Sequence, residues 1–342
     1  SCLVPLGILM AAYLCVDCAS LGEKNMTEHY DVIVKKRQVQ ADNVAVLEFE
    51  SANELKLPKI EAGAHIDVHL PNGLVRQYSL CQNPKQEGIF RLGILKDPES
   101  RGGSICAFDE LQEGTQLKVS APRNLFALED AEHTVLIGGG IGITPLISMA
   151  YALYEEGKSF ELHYCGSSIE RAAFVEELQQ GSLAAYTKFY FKQSGDNHRE
   201  SLSAHFKQLK NISHIYTCGP NGFMDWVIDL AKQNQFADSH IHKEYFQVET
   251  DSTGDAFEVY AQRSDKIIMV SAEEVLIDAL AREGIKIEKS CEQGVCGTCL
   301  CDVLEGEPDH RDVYLTDEEK AENDQILVCC SRSKSARLVL DI

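Results

Sequence analysis

The chain has 342 residues, 44% of them hydrophobic, and a formal net charge of −21. Length and apolar content allow two or three domains with cores of their own, and the acidity argues against nucleic acid and anionic membrane as partners. Thirteen cysteines are too few for a secreted disulfide scaffold of this size, so a cytoplasmic protein with reduced thiols is expected, most of them small core residues.

Residues 1–25 do not match the rest of the chain. Their apolar run, 3–16, is too short for a spanning helix and lacks a basic leading segment, so they read as an extension outside the fold ahead of Met26, with a signal peptide as the alternative. Elsewhere no membrane span is expected. From 26 to 130, short apolar runs at 44–49, 65–70 and 116–119 alternate with turn signals, including a hairpin turn at 71–73, and predict an antiparallel β-barrel. On or just after a barrel strand comes Arg76-Gln77-Tyr78-Ser79-Leu80. There a tyrosine ring can lie against an isoalloxazine face while Ser79 bonds its edge and Arg76 meets a phosphate. The N–H groups of Arg101-Gly102-Gly103-Ser104, at the opening of a short helix, suit a terminal phosphate. Taken singly, both segments are equally ordinary surface and packing sequence.

From 131 to 246 the pattern becomes that of an open parallel α/β sheet, with strands at 134–137, 160–165 and 214–218 and helices at 144–156, 172–180 and 221–234. Gly138-Gly139-Gly140-Ile141-Gly142 joins the first strand to its helix, with Thr144 as expected N-cap and Pro145 at the first helical position. This is not the G-x-G-x-x-G fingerprint, yet a strand end meeting a helix N-terminus favours a pyrophosphate. Cys218-Gly219-Pro220 repeats the arrangement, and two such points at one sheet end make a nucleotide crevice. The run 166–171 carries serines and an arginine, which would suit a 2′-phosphate, or are simply surface residues. Phe246 is a candidate aromatic at the flavin, or a core residue.

Residues 247–255 read as a linker allowing limited swing, and 256–342 as an α+β domain with a hairpin at 257–261 and 266–270 and a helix at 273–283. Cys291, Cys296 and Cys299 follow in the order C-x4-C-x2-C, with Cys329 after a long gap. That is the plant-type [2Fe-2S] spacing, whereas zinc sites favour paired short spacings. Cys330, adjacent to Cys329, is the substitute fourth ligand.

The order of these motifs, with the tail from Cys329 to Asp341, resembles the phthalate dioxygenase reductase family and covers 26–342. The reductase components of vanillate demethylase and carnitine monooxygenase systems are similar too. The resemblance implies a multidomain protein: a flavin barrel, an NAD-binding α/β domain and a C-terminal β-grasp ferredoxin. It also implies FMN, NADH as donor with NADPH left open, and a Rieske-type non-haem iron oxygenase as acceptor. Cys218, by matching position, would lie near the nicotinamide, with Ser79 as the other catalytic candidate. A nicotinamide gives up two electrons at once and a [2Fe-2S] cluster carries one, so a flavin must stand between them. The alternatives are a reductase for a diiron monooxygenase or a ferric or dye acceptor, and a non-catalytic redox sensor.

Overall fold

The computed structural model describes residues 28–248 and 250–342; the expectation for residues 1–25 lies outside them. Six antiparallel strands come first: β1 (His29–Ala41), β2 (Val44–Ser51), β3 (His65–His69), β4 (Val75–Ser79), β5 (Ile89–Leu95) and, after helix α1 (Gly103–Glu110), β6 (Gln116–Ser120). Their order is β4-β3-β6-β1-β2-β5, and a bridge between Leu80 and Leu92 joins the outer strands into a barrel. Alternating residues such as Val32, Val34, Ile66, Val68, Phe90 and Leu92 fill its interior.

Next come β7 (Thr134–Gly139), α2 (Ile143–Glu155), β8 (Phe160–Gly166), α3 (Val175–Gln180), β9 (Thr187–Phe191), α4 (His198–Phe206), β10 (His214–Cys218), α5 (Asn221–Gln233) and β11 (Ile241–Glu244). The sheet order is β11-β10-β7-β8-β9, parallel throughout, so the direction of winding reverses between β7 and β10. The loops after those two strands therefore open beside each other, where such sheets bind ligands.

Two expected helix starts move. α3 begins at Val175 because Phe174 takes a left-handed φ of 64°, with its N–H held by Gln40 Oε1 at 2.9 Å. A 3-10 turn over Gly140–Gly142 runs straight into α2, so the N-cap is Gly142 and not Thr144. Thr144 Oγ1 instead donates to the Ile141 carbonyl at 3.0 Å, and Pro145 becomes the third helical residue, where its missing N–H still removes only an orphan donor.

The last part contains β12 (Phe257–Ala261), β13 (Lys266–Val270), α6 (Leu276–Arg282), β14 (Leu300–Glu305), β15 (Pro308–Asp309), α7 (Asp317–Glu322), β16 (Gln325–Leu327), β17 (Arg332–Ser333) and β18 (Arg337–Leu340). Its mixed sheet, β13-β12-β18-β14-β16, has β12 and β18 parallel at its centre, as a β-grasp requires. α6 is shorter than expected: Glu274 accepts from the Ser271 N–H and pairs with Arg282, closing a turn ahead of it. No helix of the described residues is long and apolar enough to cross a membrane.

The parts are fastened to one another. Arg91 on β5 makes a two-pronged bond, at 3.0 and 2.6 Å, with Glu177 on α3, and Tyr151 on α2 donates to the same carboxylate at 2.7 Å. Arg332 is buried and donates to the carbonyls of Ser252, Asp255, Ser271 and Glu274, so the segment expected to swing is pinned along its second half.

Candidate functional site

One open cavity of about 250 Å³ lies where all three parts meet. The barrel contributes Arg76, Gln77, Tyr78 and Ser79, the loop before α1 contributes Arg101, and α1 contributes Ser104. Ile141 comes from the 3-10 turn ahead of α2, Thr144 from the start of α2, Phe246 from the stretch after β11, and Cys291, Gln293 and Val295 from the cysteine loop. Leu80 is not among them: it follows the end of β4, and its side chain is buried in the barrel core.

At one end stand two guanidinium groups. Arg76 lies across the start of α1 so closely that a Cβ on Gly103 would sit 2.3 Å from its Nε. Burial, and after it the charge of Arg101, disfavours the Arg76 cation, an imbalance that an anion between them would relieve. Gly102, at a left-handed φ of 87°, turns the chain into α1 just ahead of Gly103 and Ser104, so the helix presents its N-terminus at this end.

The middle of the cavity holds groups that the motifs did not single out. Glu244, the last residue of β11, accepts from Ser79 Oγ at 3.4 Å and approaches His65 Nδ1 at 3.8 Å. Burial pushes its carboxyl up to about 8 against the opposing Ser79 bond, while burial and Arg123 push His65 down to about 3. Neither ring nitrogen of His65 has a hydrogen-bond partner among the described residues. At neutral pH this is therefore a largely protonated acid beside a neutral imidazole. Only parallel pairing, which sets Glu244 against Cys218, brings them here, and no local pattern announces it.

Cys218 is fully buried, and burial holds its thiol well above the ordinary range. Gly142 presses on it: a Cβ there would lie 2.4 Å from the Cys218 carbonyl carbon. Gly219, with φ of 153°, packs in turn on Gly139, and Pro220 caps α5. Gly139, Gly140, Gly142, Pro145, Cys218, Gly219 and Pro220 thus form the paired strand ends beside the cavity and do not line it.

The cysteine loop closes the far wall. Cys291, Cys296, Cys299 and Cys329 are 7%, 5%, 1% and 5% exposed. Contact with Cys291 raises the Cys296 thiol, and contact with Cys329 raises Cys299, so the four sulfurs lie together. Cys330 instead directs its Sγ to the Leu327 carbonyl at 3.8 Å. The loop is tied to the barrel by Arg101 to the Cys291 carbonyl at 2.5 Å, Arg76 to the Ser290 carbonyl at 3.4 Å, and Ser290 Oγ to Asp67 at 3.1 Å. Asp67 is also held by Arg123 at 2.7 Å. The donor set of four soft thiols in a buried pocket fits a [2Fe-2S] cluster, and the cavity between the arginines and Glu244 fits a flavin.

Residues 259–334 match the model of the 2Fe-2S iron-sulfur cluster binding domain, and 29–127 that of the oxidoreductase FAD-binding domain. A vanillate O-demethylase oxidoreductase of Pseudomonas sp. strain HR199 is 45% identical over 315 residues, 91% of this chain and 99% of that one. A carnitine monooxygenase reductase subunit of Acinetobacter baumannii is 34% identical over 93% of this chain and 100% of its own. Among solved structures, phthalate dioxygenase reductase superposes with a TM-score of 0.71 at 34% identity, covering 92% of this chain and 98% of that one. An intact type IV self-sufficient cytochrome P450 monooxygenase gives a TM-score of 0.81 at 33% identity; this chain spans only 41% of its length.

Proposed function

Since the chain belongs to the phthalate dioxygenase reductase family, we propose that it is the reductase component of a two-component oxygenase system, taking electrons from NADH through FMN and a [2Fe-2S] cluster to a Rieske-type oxygenase. The observation that carries this reading is the shared cavity, in which Cys291, Gln293 and Val295 of the cysteine loop face Tyr78, Ser79 and Phe246. The bound flavin would take two electrons from the nicotinamide and release them one at a time. Cys291, Cys296, Cys299 and Cys329 are the proposed ligands of the cluster.

The chain's own residues would do the rest. Arg76 and the Gly102–Ser104 turn would hold a phosphate, and Tyr78, kept a neutral phenol by burial, would lie along the ring system. Ser79 and Glu244 together offer a hydroxyl and a protonated carboxyl at neutral pH, so a proton can be held or passed at Ser79 Oγ without placing a charge in the cavity. The Gly142 to Cys218 contact leaves no room for a side chain and brings two strand-end loops together for the dinucleotide.

FMN rather than FAD is supported by the phosphate end, where Arg76 and Arg101, which would hold one terminal phosphate, are themselves tied to the cysteine loop. NADH is proposed from the family resemblance: after β8 both Glu170, which would suit a free ribose hydroxyl, and Arg171, which would suit a 2′-phosphate, are exposed. Denaturation should release FMN, identified by mass, and anaerobic NADH should bleach flavin and cluster in sequence. Released FAD, or a flavin that NADH leaves oxidised, would overturn the assignment.

A further inference from the structure

Outside this site the nucleotide domain carries a second cluster of metal-ligating side chains. Glu161 and His163 alternate on one face of β8, His133 stands ahead of β7, and His205 lies in the last turn of α4. The ligating atoms of Glu161, His163 and His205 all fall within 4.8 Å of one another. Three imidazole Nε2 atoms converge on a single carboxylate: that of His205 bonds Oε1, that of His133 lies 3.4 Å from Oε1, and that of His163 lies 3.2 Å from Oε2.

We propose that Glu161, His133, His163 and His205 form a structural site for a divalent transition-metal cation, zinc by its three-nitrogen, one-oxygen donor set. His163 carries most of the argument. It is fully buried, and its Nε2 faces Glu161 Oε2 at 3.2 Å. Its other nitrogen, Nδ1, is held at 3.0 Å by Tyr190 Oη, and His133 Nδ1 is held at 2.8 Å by Ser159 Oγ. Fixing Nδ1 on an oxygen turns the Nε2 lone pair inward, which is how metal-binding imidazoles are oriented. Lys188, at 2.9 Å from Glu161, occupies the cation's place in part, but it is 53% exposed and free to swing outward.

Strand β8 begins near Glu161 and delivers the nucleotide crevice at its other end, so the ion would not touch the dinucleotide. It would instead clamp the start of the sheet to α4. The test uses holoprotein with its flavin and full iron content, so that the cluster cysteines are already occupied. After exposure to Zn²⁺ and desalting, elemental mass spectrometry should find about one more zinc per chain in wild type than in His205→Ala or His133→Ala, both partly exposed positions chosen to preserve folding. His29→Asn, at an exposed barrel position outside both groups of metal-ligating side chains, should retain the wild-type amount. Added Zn²⁺ should raise the thermal midpoint of wild type and leave both cluster variants unmoved, with affinity weakened at least about tenfold. Equal zinc retention, or equal midpoint shifts, in wild type and His205→Ala would overturn the proposal.

Discussion

Replacing Glu244 with Gln should flatten part of the pH dependence of stability. The carboxyl titrates near 4.5 when exposed and near 8 in its buried place against Ser79. Because the folded value is the higher one, the stabilising contribution is complete below pH 4.5 and is lost as pH rises toward 8, where unfolding would release a proton. One pKa unit corresponds to about 1.4 kcal/mol, so the whole window is worth about 5 kcal/mol and the span from pH 5.5 to 7.5 about 2–3 kcal/mol. For a protein of this size that is a fall in thermal midpoint of about 3–5 °C. His65, whose pKa is lowered, contributes a slope of opposite sign in both proteins, so the difference between them isolates Glu244. Thermal midpoints of the flavin-free protein at the two pH values are the assay, since a ring against Glu244 would add its own proton linkage. Equal pH slopes in wild type and Glu244→Gln would mean that the carboxyl is solvated and ionised, and the protonated-acid reading of the cavity would fail.

Arg91→Met should cost about 3 kcal/mol, because it leaves Glu177 and Tyr151 facing a buried gap between barrel and sheet; an unchanged denaturation midpoint would place that energy elsewhere. Cys296→Ser should abolish the cluster's visible and paramagnetic signals while flavin reduction by NADH stays within about tenfold, since Cys296 does not line the cavity. Asp67→Asn should loosen the cysteine loop from Arg123 and Ser290, slowing flavin-to-cluster transfer in stopped flow more than it slows flavin reduction. Residues 254–342 hold twenty Asp and Glu against ten Lys and Arg, a balance of −10. Raising ionic strength to the point where the Debye length is about 8 Å should therefore slow transfer to the oxygenase but not reduction by NADH.

What could be read from the sequence was whatever is local. The spacing of Cys291, Cys296 and Cys299 and the turn chemistry at Gly138–Gly142 are set by neighbours in the chain, and strand periodicity located β2, β3, β6, β7 and β10 to within two residues. The N-cap assignment at Thr144 failed because contact with Cys218, distant in sequence, makes the preceding glycine turn part of the helix. Glu244 and His65 were illegible for the same reason. Their chemistry depends on burial created by strand pairing, and a glutamate two positions before Phe246 has no pattern of its own.

The pinned linker changes how the electron path is to be understood. A free tether would make transfer depend on how often the cysteine loop visits the flavin cavity. Here Arg332 ties two carbonyls of the tether, Ser252 and Asp255, to two of the following domain, Ser271 and Glu274, and Asp67, Arg76 and Arg101 hold the loop itself. Two of those residues, Arg76 and Arg101, also form the anion end of the cavity. A phosphate seated there would draw on the guanidinium groups that grip the Ser290 and Cys291 carbonyls, so cofactor binding and loop docking must be linked, each altering the other's free energy. Geometry gives the sign: charge between the two arginines relieves their mutual repulsion and stiffens both side chains, so flavin binding should tighten the loop against the barrel. Hydrogen exchange at residues 290–296 should accordingly slow when flavin is restored to the stripped protein. Faster exchange there would show that phosphate and loop compete for the same arginines.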